Sequence, residues 1–312
     1  ALLRSGLTLR VDLMERLPFP YGLVRYGVAA DHLKLKSVTA VFDRIAADPG
    51  LRFVGGVEIG RDVSFEELRA HYDAVILACG TPASRRLDVI GEDLAGVIVS
   101  SDFVGWYNGH PDHAGRSAIG LDADAAVVVG HGNVALDVCR LLSKSGSNLA
   151  GSDLPDAMLA AFDDSRVRVV HLLGRGAPGR ARFTPKELRE LGELPGVRVR
   201  FPQDVQRVLS ALDADPGDAH LVPAWRTLAT RGEVSGEREI HIWFGVAPER
   251  FIGDGRLQGV RLRATDRAFA SAQEGHEIAC GLAVSCIGYR GLPIHGVPFD
   301  ERSGTVPNKT RR

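Results

Sequence analysis

VVVGHGNVALDVCR, residues 127–140, is an apolar, β-branched run that breaks at glycine and restarts with helical spacing. The stretch reads as strand, tight turn and helix. Gly130 allows the turn, Gly132 lets a diphosphate approach the backbone, and small Ala135 lets helix and strand pack closely, so the free N–H groups of the helix start face an anion. The strand pattern of 125–129 before the glycines, and the apolar spacing of Val134, Val138, Leu141 and Leu142 after them, support a dinucleotide-binding turn over a plain α/β glycine loop.

The totals bound what surrounds this turn. With 312 residues the chain is long enough for two ordinary domains. Lys and Arg number 38 against 39 Asp and Glu, for a formal net charge of -1, so no global field recruits nucleic acid or an anionic membrane. Cys79, Cys139, Cys280 and Cys286 form no CxxC pair and no metal-ligand spacing. They read as buried thiols of a reducing compartment, and no metal is expected. There is no apolar stretch long enough to span a bilayer and no signal-peptide pattern, so a cytoplasmic protein without a membrane span is expected.

Taken from its start, the chain shows a helix end closing at Ser5-Gly6, then a strand over 7–14 closed by Glu15. This looks like the second half of a βαβ unit, with Glu15 where such folds hold a ribose hydroxyl roughly 20 residues after a glycine turn. The expectation is therefore that a first strand and glycine loop belong upstream of residue 1. Residues 17–32 are too rich in Pro, Gly and aromatics for a regular element and read as a functional loop. A helix with one buried face is expected over 33–47, strands over 51–54, 57–59 and 73–78, and a helix over 64–70 with Ser64 and Glu67 at capping-box spacing.

ERLPFPYGLVRYGVAADH at 15–32 resembles the flavin segment of ferredoxin:NADP reductases of the adrenodoxin reductase type, with Ala30 where that family has proline. GEDL at 91–94, DFVGWYNGHP at 102–111, GHGNVALD at 130–137, FTPKELREL at 183–191 and SCIGYRGLP at 285–293 extend the resemblance over nearly the whole chain. It implies an α/β flavoprotein with two Rossmann-like dinucleotide-binding domains, the NADP domain inserted into a discontinuous FAD domain. The expected division is 1–100 for the first FAD segment, 101–280 for the NADP domain and 281–312 for the return segment. The family's later flavin segment is expected beyond Arg312.

The resemblance also assigns residues. FAD would take Glu15, Leu23 and Val24, and Ala78 and Gly80 at the end of the 73–78 strand. NADP would take Gly130, Gly132, Asn133, Val134, Ala135, Arg175 and Glu187. Arginine rather than an acid after the second strand favours NADP over NAD. The family carries two arginines there, whereas this chain has Gly174-Arg175-Gly176, so one contact is lost and Arg180 or Arg182 is the nearest substitute. Thr184, Pro185 and Glu187 also read as an ordinary helix start, with Thr184 as N-cap. His32 and Glu190 are the implied proton-handling pair.

The implied activity is electron transfer from NADPH through FAD to a ferredoxin-like iron–sulfur protein, with Arg180, Arg182, Lys186 and Arg189 as a docking face. An electron-input subunit of the glutamate synthase type, or a non-catalytic NADP-binding fragment, are the alternatives; absence of CxxC disfavours a disulfide reductase. Residues 198–230 are uninformative apart from a turn at Pro216-Gly217. Residues 237–245 and 259–264 are expected to form an antiparallel excursion, and 280–287 a buried return strand.

Overall fold

The computed structural model describes residues 2–115, 119–215, 217, 219–231, 236–266 and 270–307. Pro216 and the last residues, 308–312, on which two expectations fell, lie outside them.

A single 3₁₀ turn (Leu2–Arg4) runs into Gly6 at φ 82, the helix end expected there. Strand β1 (Val11–Glu15) follows. The 17–32 loop carries a short helix the sequence did not suggest, α1 (Gly22–Tyr26), entered through Tyr21 at φ 79. The expected 33–47 helix is broken into α2 (Leu33–Lys36) and α3 (Thr39–Ala46). The break falls where the Ser37 and Thr39 hydroxyls donate back to the carbonyls of Lys34 and Lys36. No side chain of α3 is buried, and Val41 and Ile45 are each 42% exposed, so the expected buried face is open.

Strand β2 (Leu51–Gly55) pairs in parallel with β1, and this sheet has two strands. The chain leaves it through Gly56 at φ 74, and 57–59 contributes one isolated bridge instead of a strand. Helix α4 (Phe65–His71) has the full reciprocal capping box of Ser64 and Glu67. Residues 73–78, expected as a strand, are coil, largely exposed like Cys79 and Gly80 after them, with Ile76 at 70% exposure. An apolar run becomes a strand only when it pairs, and 73–78 pairs with no strand among the described residues.

After β3 (Ala83–Ser84) come β4 (Val97–Val99), α5 (Ser100–Tyr107), β5 (Ala125–Val129) and α6 (Asn133–Leu142). Next are α7 (Gly146–Leu149), α8 (Asp156–Asp163), β6 (Val169–Leu173) and α9 (Pro185–Gly192). Then follow β7 (Val197–Arg200), α10 (Val205–Ala214), α11 (Val222–Thr230) and β8 (Arg238–Trp243). A hairpin of β9 (Val246–Asp254) and β10 (Arg256–Ala264) precedes β11 (Glu277–Ala279), β12 (Leu282–Ser285) and β13 (Tyr289–Arg290).

Six of these strands form one all-parallel sheet in the order β4-β12-β5-β6-β8-β7. Of its central strands, β5 is a continuous apolar run and β6 is one interrupted by His171, the composition of strands covered on both faces. The antiparallel excursion is β9–β10–β11, whereas 237–245 supplies the parallel strand β8. β4 and β12 are members of the six-stranded sheet, so it reaches past both expected domain limits, 100/101 and 280/281. The main buried cluster belongs to this layer; of the residues before 97, Ala30 alone is a buried member of it. By contrast, the exposed large apolar side chains among the described residues all fall within 2–90 and 287–306. No helix among the described residues is long and apolar enough to cross a membrane.

Candidate functional site

The glycine turn lies at the carboxyl end of β5, near the middle of the sheet, where open α/β sheets bind ligands. Gly130 has φ 130, and a Cβ there would sit 2.4 Å from the Cys286 carbonyl oxygen, so the fold itself demands this glycine. Gly132 is different. Its φ of -122 suits any residue, and a Cβ would meet nothing within 4 Å. As N-cap of α6 it offers no side-chain cap, and the first turn carries no acid, so the leading N–H groups remain available to an anion. Ala135 is fully buried and Val134 packs at the edge of the core, as their assignment to close helix–sheet packing requires.

His131, between the two glycines, is a residue the sequence reading passed over. Its ring lies against Gly174 and against Phe183 and Phe244, and burial pushes its pKa down to about 4. It is therefore neutral at physiological pH and adds no charge to the turn.

Arg175 is exposed just beyond β6, where its own carbonyl accepts the Thr265 hydroxyl. Arg180 is occupied by Asp215 at 3.0 Å. Arg182 is exposed, and its N–H donates to the His131 carbonyl at 2.7 Å.

The loop ending at His32 is clamped onto the large sheet layer. Buried Lys36 donates through Nζ to Asn108 Oδ1 (2.9 Å), Asp153 Oδ2 (2.8 Å) and the Arg25 carbonyl (3.0 Å). Asp153 N–H donates to the Ala30 carbonyl at 2.9 Å. Asp31 pairs with Arg140 and, at 2.6 Å, with Lys144. Burial pushes the Asp31 carboxyl up, but Arg140 and Lys144 outweigh it and hold it below the usual range. Arg140 also binds Asp137, where burial prevails over Arg140 and His32 and raises the carboxyl.

This clamp sets His32 against three acids. Nε2 lies 3.3 Å from Glu190 Oε2 and 3.9 Å from Glu187 Oε2, and Nδ1 lies 3.9 Å from Asp137 Oδ1. His32 and Glu190 thus meet as expected, although one comes from the first segment and the other from α9. The role of Glu187 differs from that of a capping-box acid. Thr184 caps α9 by accepting from Glu187 N–H, but Thr184 N–H donates to Asn133 Oδ1 at 2.9 Å, leaving the Glu187 carboxylate free to face His32. The ligand atoms of His32, Glu187 and Glu190 lie within 4.8 Å of one another, a spacing that could hold a cation and that the expectation of no metal did not anticipate.

Burial raises the Glu187 carboxyl and Asp137 adds to the effect, with His32 opposing. The native state therefore holds this proton more tightly than the unfolded chain, and stability falls as pH rises from the unfolded carboxylate range, about pH 4, through the raised native pKa. Glu187→Gln should melt at a higher temperature than the parent at pH 8, with the difference vanishing below about pH 4 in parallel thermal melts.

The remaining assigned residues lie apart. Glu15 ends β1 and accepts the Leu17 N–H through Oε1. Leu23 and Val24 lie on α1, Leu23 being 78% exposed. Ala78 and Gly80 lie in the exposed coil of 73–80, not at a strand end. No hydrogen bond or ion pair among the described residues joins any of these five to the His32 cluster.

No family model matches the chain. Over 97% of its length it is 38% identical to the NADPH-ferredoxin reductase FprA of Mycobacterium tuberculosis, of which it covers 69%. It belongs to the NADPH-ferredoxin reductase family. The mitochondrial NADPH:adrenodoxin oxidoreductase of Arabidopsis thaliana is 36% identical over 96% of the chain, which covers 66% of that relative. A solved structure of FprA in complex with NADPH superposes with a TM-score of 0.87 at 37% identity, covering 97% of this chain and 69% of that one.

Proposed function

We propose that the chain takes electrons from NADPH and passes them, by way of FAD, to a ferredoxin-like iron–sulfur protein. The observation that carries this reading is the meeting of His32 with Glu190 and Glu187 beside the glycine turn, because it joins the two cofactor segments at one polar cluster. Bound FAD supplies the redox chemistry, which no side chain here performs.

The residues fit such a group. Leu23, Ile76, Leu77, Ile287 and Leu292 are exposed apolar side chains in the segments resembling the flavin region, and Gly80 has open space around it. Glu15, at the carboxyl end of β1, would accept from a ribose hydroxyl. Leu23, Val24 and Ala78 are assigned to the same group. For NADPH, Gly130, Gly132, Asn133, Val134 and Ala135 form the diphosphate turn, Arg175 faces the 2′-phosphate, and Glu187 borders the nicotinamide end. His32 and Glu190 hold and move a proton between Nε2 and Oε2. By this reading β4 to β12 form the NADP unit, and the β1–β2 segment with the return strand β13 forms the FAD unit. The four free thiols, three of them buried, favour a reducing compartment, hence the cytoplasm.

Loaded with FAD, the protein should reduce a ferredoxin-like protein at the expense of NADPH under anaerobic conditions. Bound NADPH and bound flavin without electron delivery to any such acceptor would contradict the proposal.

A further inference from the structure

The second arginine expected after β6 is absent, Gly176 standing in its place, yet the positive charge has a counterpart elsewhere. Arg175 and Arg182 are the exposed arginines of the 174–182 loop without an ion pair among the described residues, since Arg180 is taken by Asp215. Their places differ. Arg175 follows the second strand of the dinucleotide unit, the position that faces the adenosine ribose. Arg182 is seven residues on, where the chain has come back to the glycine turn: its N–H bonds the His131 carbonyl at 2.7 Å and it forms a bridge with Gly132.

Ala181 and Phe183, on either side, are 7% and 3% exposed. Alternation in this extended segment therefore sends the Arg182 side chain out of the core, along the surface that borders the start of α6. The space over Gly132 stays open, since a Cβ there would meet nothing within 4 Å. His131 is neutral at physiological pH, so it cannot supply the cation at this end.

We infer that Arg182 is a diphosphate-binding residue, so that this chain has one arginine for the 2′-phosphate and one for the diphosphate. The inference deepens the dinucleotide reading given above and depends on it. Its consequence is that affinity for the coenzyme is retained while discrimination between NADP and NAD falls on Arg175 alone.

Calorimetric titration of the full chain, Arg175→Ala, Arg182→Ala and Arg182→Lys with NADP+ and NAD+ tests this. Arg182→Ala should weaken both dinucleotides by a similar factor, about tenfold, as expected for loss of one charge-assisted contact. Arg182→Lys should recover part of that loss, because charge rather than packing is at stake. Arg175→Ala should weaken NADP+ by about as much and leave NAD+ unchanged. Loss of NADP+ affinity alone in Arg182→Ala would instead make it a second 2′-phosphate contact, and unchanged affinities would make it a solvated arginine; either overturns the inference. A parent chain that bound neither dinucleotide would overturn the reading of the turn itself, and the inference with it.

Discussion

Gly132→Leu should weaken NADP+ binding by a hundredfold or more while leaving the melting temperature within a few degrees of the parent. The side chain enters open space at a φ that L residues adopt freely, so the folded chain has nothing to lose there except a favourable N-cap residue. What the leucine does occupy is the approach of an anion to the first N–H groups of α6, and a hundredfold corresponds to about 2.7 kcal/mol. The neighbouring Gly130→Ala should behave in the opposite way. At φ 130, with the Cys286 carbonyl 2.4 Å from the new Cβ, the turn or the end of β12 must shift. Strain and overpacking together put the cost at about 2–5 kcal/mol. Unchanged NADP+ affinity in Gly132→Leu would move the binding site elsewhere, and equal melting temperatures for the two variants would contradict the strain assigned to Gly130.

Arg140→Met should be among the most destabilising single changes in the chain. The guanidinium is 6% exposed and holds two carboxylates that are themselves largely buried, Asp31 at 10% and Asp137 at 18%. Removing one partner of a buried ionic cluster costs about 3–5 kcal/mol, because the charges left behind stay desolvated. Lys144 still reaches Asp31, so Asp137 suffers most. The pH dependence has a definite sign: without Arg140 both carboxyls bind protons more tightly in the native state, so the deficit should grow as pH rises from about 4 and shrink toward acid. Denaturant melts of parent and variant from pH 4 to 8 read this directly; a deficit independent of pH would mean that lost packing, not lost charge, is responsible.

The same cluster explains how a remote change could alter chemistry. Asp31 precedes His32 in the chain and Asp137 faces its Nδ1, so Arg140 fixes the imidazole from both sides. Together with Lys36, it ties the loop of the first segment to the large sheet.

The parts of this arrangement that the sequence made legible are local. Residues 127–140 carry their own strand, turn and helix signals, and the Ser64 and Thr184 caps are three-residue patterns that need no distant partner. The helices α10 and α11 were legible in principle, from Val205, Val208, Leu209 and Leu212 and from Leu221, Ala224, Trp225 and Leu228 at helical spacing, but mixed charge obscured them. Where long-range partners decide, the pattern was ambiguous. Alternation in 237–245 is the same for a parallel strand as for an antiparallel one, and only pairing with β6 and β7 distinguishes them. The apolar run at 73–78 has strand composition but no strand beside it. Glu187 has the spacing of a capping-box acid, and it is Asn133, from another helix, that releases it toward His32. His32 and Glu190 meet through a tertiary contact that no spacing rule reveals; only the resemblance indicated the pair.

The most direct measurement of the central claim is the visible spectrum of the purified chain, before and after adding FAD, followed by NADPH without oxygen. Uptake of flavin and its bleaching by NADPH is the expected result. A chain that binds NADPH but takes up no flavin, or whose bound flavin NADPH leaves oxidised, would contradict the assignment of reductase function.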